Sequence, residues 1–84
     1  MPYIANKTRR SELDEIIMEM NRWGVKPDGD LNYILFAYAK RSITPSYNNY
    51  KNYIGELEEC IAEIRRRLLG PYEDKKIEEN GDVE

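Results

Sequence analysis

Six glutamates fall into two matched sets: Glu12, Glu15 and Glu19 repeat the three-then-four spacing of Glu56, Glu59 and Glu63. On a helix that spacing places each trio on one face. Carboxylates so arranged can hold magnesium with water and substrate phosphates, which would suit a phosphohydrolase acting on nucleotides. A solvated acidic face is the stronger reading. Glu56, Glu59 and Glu63 lie opposite the apolar seam of their segment, and Glu63 stands one turn before Arg66 and Arg67, where an ion pair is expected.

The remaining inventory excludes more than it offers. The chain has no histidine and one cysteine, Cys60, so zinc sites, Cys–His nucleophiles and histidine acid–base chemistry are out of reach of a single chain. No glycine-rich phosphate loop is present. No catalytic residue, metal or cofactor is therefore expected, and an enzymatic role is disfavoured. Cys60 borders an apolar stripe and reads as a small core residue. A lone cysteine suits a reducing compartment, and without an apolar leader or membrane-length run the expected location is the cytoplasm.

Arginines form the other chemical cluster. Arg9 and Arg10 open the first helical pattern, and Arg65, Arg66 and Arg67 close the third, where positive charge complements the negative end of the helix dipole. A sharper expectation is a clasp in which Arg65, Arg66 and Arg67 hold Tyr72, Glu73 and Asp74, since the planar guanidinium suits carboxylates. Net charge is −3. Residues 71–84 hold six acids against Lys75 and Lys76, which concentrates the negative charge in the tail and leaves residues 1–70 close to neutral. Nucleic acid is an improbable partner for such a chain, because counterion release needs a basic face.

Positioning these groups falls to helices. Residues 1–7 form a short arm in which Pro2, Tyr3 and Ile4 are suited to dock as an extended segment. Thr8 or Ser11 is expected to open the first helix, Leu13, Ile16, Ile17, Met20 and Trp23 follow at helical spacing, and Gly24 ends it. Val25-Lys26-Pro27-Asp28-Gly29 is dense in breakers, and Asp28 or Asp30 is placed to cap a second helix from about Leu31 to Arg41. That helix is apolar most of the way round, through Leu31, Tyr33, Ile34, Leu35, Phe36, Ala37 and Tyr38, and is expected to be the most buried element.

The third helix is the longest signal. Thr44 is placed to cap it, Pro45 suits its first position, and Gly70-Pro71 is expected to end it. With Tyr47 taken as heptad position a, the a and d sites are Tyr47, Tyr50, Ile54, Leu57, Ile61, Ile64 and Leu68, with Tyr53, Cys60 and Arg67 at g. About 25 residues at about 1.5 Å each give a rod of roughly 37 Å, more than a body of this size needs. Gly55 and Ala62 sit seven apart at b sites, and a mid-helix glycine often marks a close backbone approach. Seven tyrosines against one phenylalanine favour a half-wet interface over a dry interior.

Four segments carry a resemblance: Gly29-Asp30-Leu31-Asn32-Tyr33, then Ser46-Tyr47 leading to Ile54-Gly55-Glu56-Leu57-Glu58, then Arg66-Arg67, and Pro71-Tyr72-Glu73-Asp74-Lys75-Lys76-Ile77 with Asn80-Gly81-Asp82-Val83. In this order they resemble a group of small uncharacterised proteins of bacteriophages and prokaryotes. The resemblance implies a small helical protein, phage or prophage borne, and a defined role for the tail. It brings no activity, cofactor or catalytic residue.

The expectation is an all-α, three-helix domain over residues 1–70, with a long third helix over about 45–69 and an acidic tail, 71–84, docked or partly disordered. Too small to bury much core without a staple, such a domain is expected to be a homo-oligomer or to hold a protein partner, with no membrane involved. Tyr47, Tyr50, Tyr53, Ile54, Gly55, Leu57 and Ala62 are the expected interface. The leading function is a non-enzymatic interaction or assembly protein; a magnesium-dependent phosphohydrolase and a nucleic-acid accessory protein are the alternatives.

Overall fold

The computed structural model describes residues 4–83; Pro2 and Tyr3 of the expected arm lie outside them. Every element among the described residues is helical. Helix α1 spans Lys7–Arg22, α2 spans Gly29–Ser42 and α3 spans Tyr47–Ile64. A π-helical turn, Arg65–Leu69, then leads without a break into α4, Gly70–Asn80, so the third helical rod runs for 34 residues.

Caps explain where each helix begins. Asn6, not Thr8 or Ser11, caps α1: its Oδ1 accepts the Arg9 amide at 2.9 Å. Asparagine caps as well as serine does, and nothing in Lys7–Arg10 resists helix, so the helix starts a turn earlier than the hydroxyls suggest. Asp28 caps α2 by accepting the Asp30 amide at 3.3 Å, while Asp30 Oδ2 accepts the Lys26 amide and braces the preceding turn. For α3 the cap is Ser46 rather than Thr44. Its Oγ accepts the Asn49 amide at 2.9 Å, and Thr44 instead offers its carbonyl to the Asn49 side chain. Pro45 consequently stands outside the helix.

The end of α1 follows its glycine. Gly24 adopts φ +67, its amide reaches the Asn21 carbonyl, and the Val25 amide reaches Met20. This is a Schellman turn, in which the two carbonyls left open by the helix end are satisfied and Val25 is brought back over Met20. Both side chains are half-buried.

Gly70-Pro71 does not end the third helix. A proline inside an α-helix lacks one donor and crowds the carbonyl four residues back. The π turn absorbs this by inserting one extra residue before the proline, with the Gly70 amide donating to Arg65 five residues earlier. Gly70 keeps helical angles, φ −57 and ψ −54. The helix ends instead at Gly81, φ +85, whose amide caps Ile77.

The described residues divide into two units, 4–51 and 52–83. In the first, Leu13, Met20, Val25, Leu31, Leu35, Ala39 and Ile43 are half-buried, and Leu31, Leu35, Ala39 and Ile43 recur every four residues along one face of α2 and its cap. Among the helices α2 carries the largest share of half-buried residues, though none of its residues is fully buried and Tyr33 is 63% and Phe36 67% exposed. In the second unit Tyr53, Gly55 and Leu57 are half-buried. Cys60, expected in a core, is exposed, because a single rod carries no second layer of its own to cover a flanking position. No described side chain is fully buried.

Candidate interaction face

Ser46 caps α3 and sets its tyrosines on the first turns. Tyr47 is exposed, with the Lys51 ammonium 5.8 Å from its ring centre, and Tyr50 is the more covered of the two. Further along the same stripe Ile54 is 53% and Ile61 49% exposed, and Ile64 is similar. Tyr53, Gly55 and Leu57 are half-buried beside them. At Gly55 an added Cβ would meet nothing within 4 Å. A shallow depression lined by Glu58, Ile61, Ala62, Arg65 and Arg66 borders this stripe on one flank.

The charged groups near it are partly committed. Glu63 accepts both contacts of the Arg66 guanidinium, at 2.9 and 2.8 Å, and lies 3.7 Å from Arg67. These are ion pairs one turn apart on one helix, worth a few tenths of a kcal/mol each at this exposure. Arg65 forms no ion pair among the described residues. On α4, Lys76 sits 5.6 Å from the Tyr72 ring centre and pairs with Glu79 at 3.3 Å. Arg65, Arg66 and Arg67 and the residues Tyr72, Glu73 and Asp74 occupy successive turns of the continuous rod.

Three glutamates of the trios, Glu12, Glu19 and Glu63, have local partners. Glu12 pairs with Arg9, and Glu19 accepts from both Arg22 and the Trp23 indole. Among the described residues no three carboxylates converge where a metal ion could sit. Arg10 donates to the Ile4 carbonyl, tying the chain just ahead of α1 back to that helix.

Tyr33, Phe36, Ala37, Lys40 and Arg41 line a second depression on α2, where Arg41 Nη2 donates to the Tyr33 hydroxyl at 3.0 Å. The signal in the sequence was the apolar face that Tyr33, Phe36 and Ala37 widen past a simple stripe. Base-aromatic neighbours recur at Arg22–Trp23 and Arg41–Tyr33, a composition common at protein contact surfaces.

These features define a small all-helical protein whose distinctive surface is an apolar stripe on a long rod. Residues 1–83 match a family described as Domain of unknown function (DUF6899), and the chain belongs to that family. Comparison with curated proteins and with solved structures gives no match. Among the described residues no helix is long and apolar enough to cross a membrane.

Proposed function

We propose that this protein is a non-enzymatic interaction or assembly protein that works through the third-helix face and the acidic segment after it. The observation that carries the reading is the exposure of Ile54, Ile61 and Ile64 along one stripe. Each half-exposed isoleucine forgoes about 1 kcal/mol of burial, so a partner covering the stripe gains that amount several times over. Exposed apolar surface gathered on one face, flanked by tyrosine and arginine, suits a contact surface. The partner class is protein, a homo-oligomer included. The lone Cys60 and the resemblance of the tail suit a phage or prophage protein working in a cytoplasm.

Light scattering with mass determination tests this on the full chain. At high concentration the mass is expected to exceed the 10.0 kDa of one chain, and Leu57→Asp with Ile61→Asp is expected to return it to that value while the helical circular dichroism persists. A wild-type mass of one chain at millimolar concentration overturns the reading.

A further inference from the structure

The charges flanking the stripe specify what covers it. With Tyr47 at a, the e sites of α3 and the π turn are Lys51, Glu58 and Arg65. The π turn inserts one residue, so beyond it every heptad position moves one residue later. Leu69 and Tyr72 then take the a and d sites, and Glu73 takes e. Along one edge of the rod the charges therefore alternate: Lys51, Glu58, Arg65, Glu73.

None of these four makes an ion pair among the described residues, whereas Glu63, Arg66, Arg67, Lys76 and Glu79 all do. An alternating row of this length is complementary to itself when reversed. In antiparallel coiled coils e sites face e sites, and in parallel ones g faces e.

We infer that the occupant of the stripe is a second copy of this chain, packed antiparallel and centred between Ile61 and Ile64. This rests on the interaction reading above and names its partner. Glu58 then faces Arg65 of the second copy and Lys51 faces its Glu73, each contact occurring twice by the two-fold axis. In the seam Ile61 meets Ile64, Leu57 meets Leu69 and Ile54 meets Tyr72 of the second copy. The depression lined by Glu58, Ile61, Ala62, Arg65 and Arg66 borders the seam on the edge where Glu58 and Arg65 stand. A parallel pair would instead set Tyr53 against Glu58 and Cys60 against Arg65, leaving only Arg67 with Glu73 as an opposite-charge contact.

The test uses the full chain. Sedimentation equilibrium should give a dimer; E58K and R65E should each weaken it roughly tenfold or more, by replacing two attractions with two repulsions, and the E58K/R65E swap should restore it. In a Cys60→Ser background, spin labels on Asn48→Cys should lie about 40–45 Å apart, because residue 48 stands opposite residue 78 of the other copy. An assembly with labels within about 20 Å, or one in which the swap variant stays weak, overturns the antiparallel pairing and leaves the interaction reading standing. A wild-type monomer overturns both.

Discussion

Gly70→Ala is the sharpest probe of the π turn. An added Cβ would stand 3.1 Å from the Arg65 carbonyl oxygen, and that same oxygen accepts the Gly70 amide in the five-residue bond. Alanine in place of a helical glycine ordinarily stabilises by about 1 kcal/mol. Here the methyl needs a few tenths of an ångström that only a shift of backbone can provide. The turn cannot relax to α geometry while Pro71 follows, because an interior proline costs about 3 kcal/mol there. The crowding is thus expected to cancel most of the gain, leaving Gly70→Ala within about 0.5 kcal/mol of wild type. In a Pro71→Ala background the π turn is no longer required, and the same substitution should recover the full ~1 kcal/mol. Urea denaturation followed by circular dichroism, with all four proteins at one concentration, measures the cycle. A full ~1 kcal/mol stabilisation by Gly70→Ala with Pro71 present would refute the idea that proline holds the turn in place.

Other substitutions separate caps from turns. Ser46→Ala removes the acceptor 2.9 Å from the Asn49 amide and should cost about 1 kcal/mol, with faster hydrogen exchange at Asn49. Thr44→Ala leaves the carbonyl that Asn49 uses and should change stability by less than about 0.5 kcal/mol in the same urea assay. Gly24→Ala forces a side chain into φ +67 and should destabilise by about 1 kcal/mol. Gly55→Ala, in open space, should stabilise the helix by about 1 kcal/mol, and a loss instead would show that the Gly55–Ala62 column meets a backbone closely.

Periodicity and glycine were legible where they act locally. The stripe of α3 announced a long helix, and Gly24 marked the end of α1 because a positive φ there has few other solutions. Caps were harder to read. Asn6 and Ser46 each compete with neighbouring hydroxyl residues of similar capping power, and the choice depends on where the first turn closes rather than on residue type. The third helix outran its punctuation for a different reason. Gly70-Pro71 resembles a stop signal, yet one inserted residue lets a proline ride through a helix, and that insertion leaves no compositional mark. Burial was least legible. The wide apolar face of α2 fits a central position as well as an open one, and sequence pattern alone counts apolar residues without counting what is available to cover them. Among the chemical groups, the Glu63–Arg66 pairing followed directly from helical spacing, while the Tyr33–Arg41 contact needed both residues placed on the folded helix.

The π turn also sets where the rod can come undone. A helix unwinds from its ends, and each residue lost releases one rung of a continuous ladder. At Arg65–Pro71 that ladder is rephased by one residue and then misses a donor at the proline. Fraying that starts from Gly81 therefore meets a natural stopping point there. The acidic end carrying Glu73 and Asp74 is therefore expected to melt and re-form more readily than the turns that carry Ile54, Ile61 and Ile64.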